Sequence, residues 1–342
     1  MTVDLRSDTV TKPTPGMLDA MMSAEVGDDV FGEDPTIKKL EEHCAHLLGM
    51  KGAVYCPSGT MTNQIGIKIL TQPYNEVICY QGAHIYKYEG GGLAGNSGVS
   101  VKLLPGDRGR LTVEEIEPNI NSTTDPHYAH TAVVALENTV VREAGSYYTL
   151  EKMKGVSECA RSRGLKVHMD GARLFNALTE TGDHPQAVGP FFDTISICLS
   201  KGLGAPVGSV LVCNSKELET KARRMRKVFG GGMRQAGYLA AAGLYALDYH
   251  IIRIKEDHVR AKVLGDCLKS LSYVKSLMPV DTNIIIFELV PDITTDKFLR
   301  TLGEYQVKAL AFSPSQIRMV THLDFNDDML EKTLTVLKKI TF

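Results

Sequence analysis

The sequence predicts an α/β protein with a large domain built on a mostly parallel sheet, helices on both faces of that sheet, and a smaller α+β domain at the C-terminus. Three observations carry this. From Ala53 to Val228, short apolar runs alternate with amphipathic stretches, the order that a parallel sheet with crossover helices produces. The run Thr194–Leu199 contains only small or apolar residues, as in a strand covered on both faces. After Gln235 the order changes to two long helices, then strands, then a last helix. The expected boundary lies near residue 250. Residues 1–249 then form the N-terminal segment and large domain, and residues 250–342 the small domain.

Taken in order, Thr2–Asp34 reads as irregular chain around a short apolar helix near Met17–Ala24. Its prolines and short polar side chains suit either a disordered tail or a segment laid across a site or a partner subunit. Asp34 caps a helix with Pro35 in its first turn and Ile37, Leu40, Cys44, Leu47 and Leu48 on one face; Gly49 ends it. Strands are expected at Ala53–Cys56, Glu76–Tyr80, Val99–Leu103, Thr131–Leu136, Leu165–Met169, Thr194–Leu199 and Ser209–Val212. Helices fall between them at Thr60–Leu70, near His84–Gly90, and at Leu150–Arg163 and Lys216–Val228. The remainder reads as helices Ala236–Tyr249 and Ile251–Leu271, strands Asn283–Leu289, Val307–Leu310 and Ile317–Val320, and a helix Asp327–Ile340.

Composition narrows the class. The 342 residues carry 38 Lys+Arg against 40 Asp+Glu, with no basic tract or acidic tail, which argues against nucleic acid or an anionic membrane as partner. Seven widely spaced cysteines without a C-x-x-C pair argue against a disulfide framework or structural zinc, so no metal is expected. The N-terminus has no apolar core of a signal peptide, and no apolar run reaches the roughly 20 residues of a membrane span. A cytoplasmic globular protein is the expectation.

Five features fall after strands or at turns, where open α/β sheets bind ligands. Lys201 ends a buried strand before the turn residues Gly202, Gly204 and Pro206. It is either a Schiff-base nucleophile or a cation whose head reaches water. Ser58-Gly59-Thr60 opens a helix, as a phosphate cup or as an ordinary hydroxyl cap. Asp170 and Arg173 follow a strand; the carboxylate suits a cationic ring nitrogen or a helix cap, and the guanidinium suits a carboxylate. His84 is a stacking group or a structural histidine. Gly230-Gly231-Gly232, with Lys227 before and Arg234 after, is a phosphate-approach loop or a linker. Together, a lysine, a ring-nitrogen carboxylate, a phosphate cup, a stacking residue and a carboxylate clamp make the inventory of a pyridoxal-phosphate site. The dinucleotide and P-loop glycine patterns are absent, which argues against a nucleotide-binding oxidoreductase.

The motifs DLRSDTVTKPT (residues 4–14), EVGDDVFGEDPT (25–36), PSGTMTNQ (57–64), HMDGARLFNA (168–177), LSKGLGAPVGS (199–209) and GGGMRQAG (230–237) occur in one order along nearly the whole chain. In this the sequence resembles the threonine aldolases of the beta-eliminating lyase family, pyridoxal-phosphate enzymes of fold type I. The resemblance implies pyridoxal 5'-phosphate as cofactor, with Lys201 as its Schiff-base lysine, Asp170 on the ring nitrogen and His84 stacked on the ring. It implies that Ser58, Gly59 and Thr60 hold the phosphate, joined by Lys227 and Arg234 from a neighbouring subunit of a homotetramer built from dimers. Ser7, Arg173 and Arg318 match the clamp on the substrate carboxylate, and His127 matches a histidine that approaches the substrate hydroxyl through water. The implied reaction is retro-aldol cleavage of L-threonine or L-allo-threonine to glycine and acetaldehyde. Beta-elimination or hydroxymethyl transfer on serine-like amino acids is the alternative. Phe31, His130 and Val140 depart from tyrosine, arginine and histidine common in relatives, and bear on substrate preference rather than on the cofactor.

Overall fold

The computed structural model describes residues 1–342. Its centre is a seven-stranded sheet. In chain order the strands are β1 (Gly52–Cys56), β2 (Asn75–Tyr80), β3 (Ser100–Leu104), β4 (His130–Glu137), β5 (Lys166–Asp170), β6 (Thr194–Cys198) and β7 (Ser209–Cys213). Their spatial order is β1-β7-β6-β5-β4-β2-β3. Neighbours from β3 through β6 pair in parallel, while β7 pairs antiparallel with both β6 and β1. This is the architecture of fold type I.

The three strands at one side of the sheet, β1, β7 and β6, are buried on both faces. Every residue of β1, β6 and β7 is buried, which accounts for runs such as Thr194-Ile195-Ser196-Ile197-Cys198, apolar or small throughout. Helices Pro35–Leu47, Gly59–Leu70, Leu150–Ser162 and Gly237–Tyr249 add to the main core through Leu40, Cys44, Ile67, Met153, Val156 and Ala240. Capping follows the sequence: Asp34 accepts from Ile37 N–H, Ser58 from Met61 N–H and Thr149 from Lys152 N–H.

A second core lies around the antiparallel sheet of Val274–Leu277, Ile284–Leu289, Gln316–Val320 and Leu310–Ala311. Helices Ile254–Lys269, Thr295–Glu304 and Asp327–Lys339 cover it. Val3 and Leu5 are fully buried in this same core, and Val3–Asp4 pairs in parallel with Val307–Lys308. The run Val307–Leu310, expected as one strand, is therefore split: Val307–Lys308 takes the N-terminal segment and Leu310–Ala311 joins Gln316–Val320. From there the N-terminal segment crosses back to the large sheet. Arg318 Nη2 donates to Arg6 O at 3.1 Å, and Thr11 Oγ1 donates to Lys201 O at 3.1 Å.

Candidate active site

The carboxyl ends of the parallel strands converge at one edge. Strand register sets Glu137 beside Asp170, Asp170 beside Ser196, and Cys198 beside Ser209. A cavity of about 160 Å³ opens there, and Ser58, Gly59, Thr60, His84, Asp170 and Lys201 all line it, with Asn63 and Cys198. Six of the residues singled out in the sequence thus meet in one place.

Lys201 is held by a tight turn. Leu199 N–H donates to Gly208 O at 3.0 Å and Gly204 N–H to Lys201 O at 2.8 Å. Gly204 sits at φ +77°, in the left-handed region that glycine tolerates. The first turn of helix Gly59–Leu70 leaves the N–H groups of Gly59 and Thr60 without intrahelical acceptors. Gly59 is required for close approach, since a Cβ there would lie 2.6 Å from Cys198 Sγ.

Asp170 is 3% exposed and already accepts from Asn63 Nδ2 at 3.0 Å and from Ala172 N–H at 3.2 Å. His84 Nδ1 lies 2.9 Å from Glu89 Oε1, and its backbone N–H donates to Glu137 Oε2 at 2.8 Å. Burial, reinforced by the charge of Asp170, pushes the Glu137 carboxyl up to about 7. His84 itself is raised: burial opposes its charge, but the Glu89 hydrogen bond and the Asp170 charge outweigh it.

Arg173 lies beside this edge, 6% exposed, and is not free. Its Nε and Nη2 donate to the two carboxylate oxygens of Asp8 at 2.7 and 2.6 Å. Burial alone would raise Asp8, yet the Arg173 charge and hydrogen bonds bring it down to about 2. Arg318 lies near enough to feel both. Burial and then the like charge of Arg173 lower its pKa, and its Nε has no partner. Ser7 Oγ caps the turn after it, accepting from Thr9 N–H at 3.2 Å.

Like Ser7, Arg173 and Arg318, three further expected site residues do not line the cavity. His127 is exposed and bonds Asp125 at 2.8 Å. Arg234 is half exposed and pairs with Asp28 at 2.9 Å. Lys227 lines a separate open depression of about 630 Å³ with Asp29, Arg224 and Gly232. Another open depression, about 720 Å³ around Phe31, Glu41 and Lys51, contains none of the expected site residues.

Sequence reading missed Asp8, Asn63, Glu89 and Glu137. Asp8 and Asn63 stand inside quoted motifs, DLRSDTV and PSGTMTNQ. Glu89 precedes a glycine run five residues after His84, and Glu137 ends a strand beside Asp170.

The beta-eliminating lyase family matches residues 4–290. The chain belongs to that family. The low-specificity L-threonine aldolase 1 of Arabidopsis thaliana is 39% identical over 339 residues, covering 97% of this chain and 94% of its own. The low specificity L-threonine aldolase of Escherichia coli (strain K12) is 39% identical over 331 residues, with 96% of each chain covered. Among solved structures, a Leishmania major threonine aldolase superposes with a TM-score of 0.86 over 98% of this chain and 99% of its own. At 22% identity that likeness speaks to the fold. Beta-eliminating lyases are pyridoxal-phosphate enzymes, and the cavity fits the cofactor. It presents a lysine, a buried carboxylate for a ring nitrogen, and unpaired helix N–H groups for a phosphate.

Proposed function

We propose that this protein is a threonine aldolase that cleaves L-threonine and L-allo-threonine between Cα and Cβ, giving glycine and acetaldehyde. The observation that carries the reading is the convergence of Lys201, Asp170, His84 and the Ser58-Gly59-Thr60 helix start on one cavity. Pyridoxal phosphate, when bound, supplies the electron sink that makes this bond breakable. Lys201 would hold the cofactor covalently through its side-chain amine. Asp170, fixed by two hydrogen bonds, would accept from the ring nitrogen, and His84 would pack against the ring. Gly59 and Thr60 N–H groups and the Ser58 and Thr60 hydroxyls would hold its phosphate.

Arg173 has Nη1 uncommitted to Asp8, and with Ser7 and Arg318 it grips the substrate carboxylate. That grip orients the Cα–Cβ bond for cleavage. His127 takes the β-hydroxyl proton through a water. Because Lys227, Arg234 and His127 lie away from the cavity of their own chain, we assign Lys227 and Arg234 to the phosphate of a neighbouring subunit in a homotetramer of two dimers with shared sites. His127 meets the substrate in that assembly. The two apolar cores support a division near residue 250, with Val3–Leu5 joining the C-terminal one. Seven free cysteines suit a reducing cytoplasm, and no helix is long and apolar enough to cross a membrane.

The test compares acetaldehyde release from L-threonine with ammonia release from L-serine by the purified holoenzyme. Acetaldehyde formation with little ammonia is expected. Ammonia from serine without acetaldehyde from threonine would overturn the reading in favour of a beta-eliminating reaction.

A further inference from the structure

Behind the cavity, one chain of hydrogen bonds joins the His84 ring to the Asp170 carboxylate. His84 Nδ1 lies 2.9 Å from Glu89 Oε1. Asn63 Nδ2 donates to that oxygen at 2.8 Å and to Asp170 Oδ2 at 3.0 Å, while Gln64 Nε2 donates to Glu89 Oε2 at 2.6 Å. The Glu89 side chain is wholly shielded from solvent.

Two amide N–H groups already donate to Glu89, an arrangement that an ionised carboxylate satisfies, so the His84 Nδ1 facing it is assigned the proton and donates. Both Asn63 N–H groups are then used, and its Oδ1 faces His168 Nε2 at 3.2 Å. Burial, opposed by the Asp170 charge, pushes His168 down to about 4, so its imidazole is neutral. It donates from Nε2 to Asn63 and accepts at Nδ1 from Thr194 Oγ1, 2.8 Å away. One assignment of protons satisfies every group along the chain, as a buried polar network requires.

We propose that Glu89 is a positioning residue, which fixes the ring and proton of His84 directly and the carboxylate of Asp170 through Asn63. The two groups that meet the cofactor ring are then set by one buried anion. This rests on reading His84 and Asp170 as those ring contacts. The charged groups facing His84 are Glu89, Asp170, Glu137 and Lys201, and of these Glu89 alone bonds its ring.

The test uses Glu89→Gln and Asn63→Ser beside the wild type, with melting curves to establish folding. NMR of labelled imidazole carbons in the cofactor-free protein reads His84, identified by the loss of its signal in His84→Phe. Glu89→Gln is expected to lower the His84 pKa by about one unit or more. Asn63→Ser, which leaves the Glu89–His84 pair intact, is expected to keep that titration. Both variants are expected to weaken cofactor binding, read by absorption, by about tenfold or more. An unmoved His84 titration in Glu89→Gln would overturn the proposal. So would a moved titration with wild-type cofactor affinity in both variants. Wild-type cofactor affinity in Asp170→Asn would instead overturn the assignment of the ring contacts, and the NMR result would still decide whether Glu89 holds His84.

Discussion

Asp8 is the residue whose role depends most on distant chain, because its carboxylate neutralises an arginine 165 positions away. Both partners are buried, so Asp8→Asn leaves a buried guanidinium without a counter-charge, at a cost of about 3–5 kcal/mol. The folded-state pKa of Asp8 is about 2, against an ordinary value of 3.8. A depressed carboxylate contributes its stability above the ordinary value and loses it as pH falls through the folded one. In melting experiments the gap between wild type and Asp8→Asn should be full above about pH 4 and close as pH falls toward 2. A gap that is constant across that range would show that the ion pair is not its source. At this scale the sequence made Lys201, Asp170 and the Ser58-Gly59-Thr60 turn legible, since each sits at the end of its own strand or start of its own helix. Asp8, Asn63 and Glu89 were not legible. A short polar residue in a motif looks the same whether it faces water or a buried partner brought near by folding.

Among the elements, the start of helix Gly59–Leu70 is set by the packing of Gly59 against β6. A Cβ at residue 59 would lie 2.6 Å from Cys198 Sγ, far inside contact distance. Gly59→Ala should push the helix start away from the sheet edge and weaken cofactor binding by about tenfold or more, measured by absorption titration. Cys198→Ala in the same chain should restore part of that loss; no recovery would place the fault in the backbone instead. The large-sheet strands were readable because strands covered on both faces carry unbroken apolar runs. Helix Thr295–Glu304 and strand Val274–Leu277 were missed in the less regular C-terminal part. The helix had signals: Thr294 accepts from Lys297 N–H, and Phe298 and Leu302 are buried one turn apart. The strand had little, since Lys275 and Ser276 are exposed at the sheet edge. Val3–Asp4 is two residues long, too short for any periodicity to register.

For the whole molecule, the fold class and order of elements followed from alternation in the sequence, while the assembly did not, because periodicity describes what packs within a chain. The proposed sharing of sites between subunits has a direct consequence. Lys201→Ala removes a group from its own chain's cavity, and on that proposal Arg234→Ala removes one offered to the neighbour. In a mixed dimer, one site lacks both and the other lacks neither. Equal mixing with subunit exchange should therefore restore about a quarter of wild-type activity from two inactive parents. Tagged hybrids that form and stay inactive would mean that Arg234 serves its own chain. The central claim is tested most directly at Lys201. Purified wild type loaded with pyridoxal phosphate should show the visible absorption of the lysine-bound cofactor and release acetaldehyde from L-threonine. Folded Lys201→Ala should lose both together, whereas a variant that keeps that absorption and its turnover would contradict the account.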